Sequence, residues 1–174
     1  MKKFVVVPHD PKWGTLFDEE RRRLISRFGE MPISIHHIGS TSIPNIYAKP
    51  VIDILVDVAN LEQIDAQNSA MISMGYEVMG EFGIPGRRYF RKDIEGVRTF
   101  QVHAFQVGSD EIVRHLSFRD YLTEHPDEAQ AYSDLKVSLI AQYDGNPDDY
   151  MDGKDEFIKE IERKAELWRV RNSP

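Results

Sequence analysis

Gly39-Ser40-Thr41-Ser42-Ile43-Pro44-Asn45, and shortly after it Val51-Ile52-Asp53-Ile54-Leu55-Val56-Asp57-Val58, decide how this chain is read. The first stretch is dense in hydroxyls and turn formers and has to be a loop. The second is a nearly continuous apolar run rich in β-branched residues, the pattern of a strand covered on both faces. Ile33 to Ile38 is a shorter run of the same kind. A strand, a hydroxyl loop and a second strand carrying an acid therefore form the centre of the chain, and its functional centre is expected between Gly39 and Asp53.

On the second strand successive side chains alternate faces, so Asp53, Leu55 and Asp57 share one face. Asp53 is an acid inside an apolar strand, and an unpaired buried carboxylate is costly. It has to be paired, metal-bound or open to a cleft. Asp57 stands about 13 Å further along an extended chain, too far to share a metal with Asp53, and reads as a strand-end residue at a turn. The loop can offer backbone amides and hydroxyls to a phosphate, with Gly39 allowing close approach of the backbone. Many turns share that composition. The P-loop pattern, with lysine directly following glycine, is absent.

Working outward, Trp13, Leu16, Phe17, Leu24 and Phe28 fall near helical spacing with Glu19 to Arg23 on the other side, which predicts an amphipathic helix ended by Gly29 and barred by Pro32. Leu61 to Met74 predicts a second helix. Arg87 to Lys92 and Arg98 to Gln106 read as strands joined around Asp93-Ile94-Glu95-Gly96. Beyond Gly108 the pattern is helical: Ser109 suits a cap, and Pro126 and Pro147 suit first helical positions.

Three further sets of residues bear on chemistry. His103 shares a partly polar strand face with Thr99 and Gln101, and reaches Asp53 if the two strands are neighbours; it would then ligate a metal, bind phosphate or simply hydrogen-bond. His36 and His37 adjoin the loop on opposite faces. Lys49, Arg87, Arg88, Arg91 and Lys92 form a local basic set that can hold an anion or, equally, line a solvated hairpin edge. Lys136 recurs with Tyr132, Leu139 and Tyr143 at helical spacing. A charge in that apolar seam needs a partner unless its stem snorkels to water. Arg119-Asp120 and Lys154 raise weaker versions of the same question.

At 174 residues the chain fits one domain, residues 1–174, able to bury roughly 70% of its unfolded surface. Its 41% hydrophobic and 29% charged content places it among ordinary globular proteins. Without cysteine it has no disulfide, thiolate nucleophile or sulfur-based zinc site. The run Phe4 to Val7, closed by Pro8, is too short for a signal peptide, so a cytoplasmic location is the default expectation, with no membrane association. A net charge of −7 disfavours binding to nucleic-acid backbone. The sequence does not determine the oligomeric state.

His37-Ile38-Gly39-Ser40-Thr41-Ser42-Ile43-Pro44 and Ala48-Lys49-Pro50-Val51-Ile52-Asp53-Ile54-Leu55-Val56 resemble the signature of the GrpB family. Gly83 to Lys92 and His115 to Leu122 are also similar to that family's pattern, so the resemblance covers nearly the whole chain. The family in turn resembles the nucleotidyltransferase superfamily, in which a Gly-Ser loop holds a triphosphate and an acid-hydrophobic-acid strand motif holds two magnesium ions. Here twelve residues separate Ser40 from Asp53. The resemblance implies an α+β fold: a mixed β-sheet with helices packed on it, palm-like as in polymerase β, with a C-terminal helical layer. It also implies a nucleotide or another phosphorylated small molecule as ligand, with Gly39, Ser40, Thr41, Lys49, Arg88, Arg119 and Lys136 as anion contacts. Asp53 and His103 would be the catalytic and metal residues, for Mg2+ or Mn2+. The departure is Leu55, which stands where the second acid belongs and cannot bind magnesium. Two other readings therefore stay open: a non-catalytic nucleotide-binding or adaptor module, and an unrelated hydrolase or transferase with His103 as base. The family also resembles a domain found fused to dephospho-CoA kinase, which hints at a coenzyme context.

Overall fold

The structure is a computed structural model that describes residues 5–144 and 146–174. The N-terminal run read as too short for a signal peptide begins at Met1–Phe4, outside the described residues. The elements are α1 (Lys12–Phe28), β1 (Ile33–Ile38), β2 (Ile52–Val58), α2 (Leu61–Asp65), α3 (Asn68–Ser73), β3 (Tyr76–Val78), β4 (Arg88–Ile94), β5 (Val97–Gln106), α4 (Asp110–Glu124), α5 (Pro126–Gln142) and α6 (Pro147–Asn172). A short 3-10 turn covers Ser40–Ser42. The fold is α+β, with a five-stranded mixed sheet in the order β1-β2-β5-β4-β3. Only the β2–β5 pair is parallel; the others are antiparallel.

By contact the chain divides into two compact units. The sheet unit consists of residues 11–38 and 51–113, and the helical unit of residues 5–10, 39–50 and 114–174, with Met1–Phe4 and Gly145 left aside.

Within the sheet unit the predicted strands hold. β2 is the most buried strand, with Ile52, Ile54, Leu55, Val56 and Val58 all in the core. The β4–β5 hairpin turns on Glu95 and Gly96, both at positive φ (51° and 75°), within the stretch expected to join the two strands. The helix expected over 61–74 is broken into α2 and α3, with Asn60 capping the first by accepting from the Gln63 amide. Asp57 is the penultimate residue of β2, near the strand's end as expected but still paired with β1, and His36 stands 3.3 Å from its Oδ2.

The α1 helix contains the larger surprise. Glu20, read as a surface acid, is fully buried. It sits on the Trp13, Phe17, Leu24, Phe28 stripe and accepts hydrogen bonds from Tyr76 Oη (2.8 Å), Lys92 Nζ (2.9 Å) and Arg23 Nη1 (3.1 Å). Burial, reinforced by the Glu20 charge, raises the Tyr76 phenol well above its ordinary range, so it stays a donor.

The helical unit has its own core. Ile43 and Ile46, just past the hydroxyl loop, pack with Tyr121, Leu122, Ala129, Tyr132, Ile161 and Ala165. Pro126 and Pro147 open α5 and α6 as predicted. The α5 and α6 helices approach closely at Gly153, where a Cβ would overlap Leu139 Cδ2. None of the helices among the described residues is long and apolar enough to cross a membrane.

Candidate functional site

The predicted site residues fall into two sets, one in each unit. In the sheet unit, the parallel pairing of β2 and β5 sets Asp53 opposite Gln101 and Leu55 opposite His103. His103 Nε2 lies 3.1 Å from Asp53 Oδ1, so the expected approach of the two strands is realised. The antiparallel β4 brings Tyr89 opposite His103, with ring centroids 5.3 Å apart. Arg87 lies two residues before Tyr89, on the same face, and its Nη1 lies 3.4 Å from His103 Nδ1. Arg87 is itself held by the Glu81 and Phe82 carbonyls (3.1 and 2.8 Å) and stacks over Tyr89 at 4.7 Å. A guanidinium can only donate. Nδ1 of His103 is therefore the acceptor, and Nε2–H donates to Asp53. The result is a chain, Arg87 to His103 to Asp53, with both imidazole nitrogens engaged.

Sequence reasoning placed Arg87 only in a general basic set. The signal that finds it is alternation: once β4 pairs with β5 at Tyr89–His103, residues 87 and 89 belong on the histidine's face.

This arrangement does not fit a two-metal centre. Leu55, at the second-acid position, is fully buried, Gln101 is no carboxylate, and His103 has no ring nitrogen left over from Asp53 and Arg87. Among the described residues no group of three or more histidine, aspartate or glutamate side chains is placed to hold a metal. Arg88, expected to contact an anion, is held by the Asp65 carboxylate through two bonds of 2.6 and 3.1 Å.

The second set lies in the helical unit. Gly39 has φ 72° and ψ −175°, a conformation that is essentially glycine's alone. In the turn that follows, the Ser42 amide and hydroxyl both donate to the Gly39 carbonyl, and Thr41 is buried. Ser40 is thus the loop hydroxyl with no partner among the described residues. The same segment is tied to α5 by the Tyr47 amide, which donates to Ser133 Oγ at 2.8 Å. One turn on from Ser133 is Lys136.

Lys136 is 1% exposed, and its Nζ has no hydrogen-bond partner among the described residues. The stem does not carry the amine to water; the ammonium lies 4.3 Å from the Tyr132 ring centroid instead. Tyr132 belongs to the core shared with Ile43 and Ile46, so the chain just past the hydroxyl loop and the lysine share one packing neighbourhood. Burial, with a smaller push from the Lys154 charge, lowers the Lys136 pKa from 10.5 to about 7. Lys154 itself stands 4.7 Å from the ring centroid of the buried Tyr150. Lys49 and Arg119 belong to the same unit, Arg119 beside Asp120 at 2.8 Å.

The GrpB protein family model matches residues 3–164. The chain belongs to the GrpB family. The UPF0157 protein YqkA of Bacillus subtilis is 46% identical over 168 residues, which cover 97% of this chain and 49% of YqkA. The crystal structure of GrpB from Enterococcus faecalis has a TM-score of 0.88 at 44% identity, covering 94% of this chain and 99% of that one. A dephospho-CoA kinase of Mycolicibacterium paratuberculosis is 27% identical over 187 residues, 94% of this chain and 46% of the kinase. The chain thus spans about half the length of YqkA and of that kinase. The Cid1 poly(U) polymerase, in its MgATP-bound structure, has a TM-score of 0.47 at 12% identity, over 76% of this chain and 45% of that one.

Proposed function

We propose that this GrpB-family protein binds a nucleotide or another phosphorylated small molecule, and that Lys136 is its principal anion contact. The observation that carries this reading is the buried Lys136 ammonium, which has no hydrogen-bond partner among the described residues. A cation in that position is costly by itself and becomes favourable when a phosphate oxygen accepts from it. Ser40, the uncommitted hydroxyl of a segment bonded to the same helix, supplies a neutral donor, and Gly39 lets a ligand approach the backbone. Lys49, Lys154 and Arg119 add positive charge within the same unit. Kinship with a dephospho-CoA kinase over 94% of the chain makes coenzyme A precursors part of the ligand search.

The binding needs no metal in this reading, because the donor set around Asp53 lacks a second carboxylate. A second reading, nucleotidyl or phosphoryl transfer with one magnesium or manganese ion, is favoured by a single feature: Asp53 is partly open to solvent and uses only Oδ1 toward His103. Broadening of β2 amide resonances by Mn2+, lost in Asp53→Asn, would support that second reading.

The first reading is tested by thermal shift with ATP, UTP, dephospho-CoA and pyrophosphate, in EDTA and in magnesium. A ligand that binds only the folded state at about 100 times its Kd adds about 2.7 kcal/mol. We expect a shift in EDTA that is reduced in Ser40→Ala and reduced further in Lys136→Met. An undiminished shift in Lys136→Met would remove the assignment.

A further inference from the structure

The sheet unit carries a second concentration of positive charge, well separated in chemistry from Asp53 and His103. Arg22, Arg23, Ser26 and Arg27 of α1 line an open cleft of about 540 Å³ together with Ser73 of α3 and Lys92 of β4. That volume falls in the range of small-molecule sites. No carboxylate lines it, in a protein whose net charge is −7.

Two of its cations are held in place from beneath. Fully buried Glu20 bonds Arg23 at 3.1 Å and Lys92 at 2.9 Å, and Lys92 also lies over the rings of Tyr76 (5.2 Å) and Phe100 (5.5 Å). The other two, Arg22 and Arg27, have no hydrogen-bond or ion-pair partner among the described residues. Asp18 and Glu30, the acids about one turn from them in sequence, make no ion pair with either. Arg23 and Arg27 are four residues apart on one helix, a like-charge pairing that destabilises α1 unless an anion offsets it. One buried acid thus orients two cations, while four cations face the cleft. The surplus is three positive charges, and the donors are mostly guanidinium forks suited to phosphate oxygens.

We infer that this cleft is a second anion site, for an oligophosphate group of a small molecule, with Arg22, Arg27 and Lys92 as its contacts. A single phosphate, at about −1.5 to −2, would leave part of the surplus unmet, whereas a chain of linked phosphates carries enough charge to meet it and can follow α1 from Arg22 to Arg27, about 7.5 Å apart along the helix axis. The site is independent of the Lys136 reading, because its residues all belong to the sheet unit.

Inorganic tripolyphosphate is the probe, followed by amide shifts in two-dimensional NMR and by calorimetry at low and moderate salt. We expect shifts centred on residues 22–27, 73–75 and 92. We also expect at least a tenfold loss of affinity for this site in Arg22→Gln/Arg27→Gln, with Lys136→Met unaffected there. The double variant Arg169→Gln/Arg171→Gln removes the same charge from another surface and should retain binding. Equal loss in both double variants would reduce the effect to net charge and overturn the proposal. So would full affinity in Arg22→Gln/Arg27→Gln, or shifts confined to residues 39–49 and 132–154.

Discussion

Replacing Lys136 with methionine should make the protein more stable at neutral pH, although it deletes a side chain from the centre of the helical unit. Methionine keeps the length of the stem and fills the same space. What it removes is an ammonium that folding strips of water and leaves, among the described residues, without a hydrogen-bond partner and facing the Tyr132 ring. The fall in pKa from 10.5 to about 7, at about 1.4 kcal/mol per tenfold, corresponds to a cost of about 5 kcal/mol for keeping the charge in the fold.

The sign follows from proton counting. Between pH 7 and 10.5 the unfolded chain holds the lysine proton and the folded chain has released it, so stability rises with pH through that window. Below pH 7 both states are protonated and the cost is present in full. The advantage of Lys136→Met should therefore be greatest at pH 6 and shrink to about 1 kcal/mol by pH 10. Urea unfolding of both proteins across that range measures the difference directly. A variant less stable than the parent at pH 6, or a difference that does not change with pH, would refute the reasoning.

Four other outcomes are expected. Glu20→Gln leaves Lys92 and Arg23 without their buried counter-charge and should lower stability by about 3 kcal/mol, read by urea unfolding. Gly153→Ala should cost about 1–3 kcal/mol through overlap with Leu139, and a double-mutant cycle with Leu139→Ala should be strongly non-additive. His103 should carry its proton on Nε2, visible as one pyrrole-like and one pyridine-like ring nitrogen in long-range 15N correlation; the opposite tautomer would break the Arg87–His103–Asp53 chain. Asp53→Asn preserves an oxygen acceptor for His103 and should leave the melting temperature within a few degrees, since it disturbs one partly exposed hydrogen bond worth about 1 kcal/mol.

Much of the fold was legible because period and punctuation agreed. β1 and β2 stood out as apolar runs on either side of a hydroxyl loop, Gly29 marked the end of α1, and Pro126 and Pro147 marked two helix starts. The break between α2 and α3 was not legible, since 61–74 keeps helical composition across Ala66 and Gln67. Asp53 and His103 could be named as partners because alternation gave their faces, but their contact depended on β2 and β5 being adjacent and parallel, which no local pattern encodes. Glu20 was misread as a surface acid because charge outweighed position. The spacing of Trp13, Phe17, Leu24 and Phe28 leaves a place at residue 20, and only the tertiary partners Tyr76 and Lys92 explain an acid there. Lys136 was visible as a charge in an apolar seam, whereas its lack of a hydrogen-bond partner depends on the packing of α5 against the segment that follows the loop.

Calorimetric titration of ATP into the parent protein and into Lys136→Met, each in EDTA, decides whether Lys136 is the anion contact. Binding to the parent without metal is expected, and its loss in the variant, which remains folded and is more stable, apart from any binding at the separate cleft on α1. Binding of equal strength to both, or binding to the parent only when magnesium is added, would contradict it.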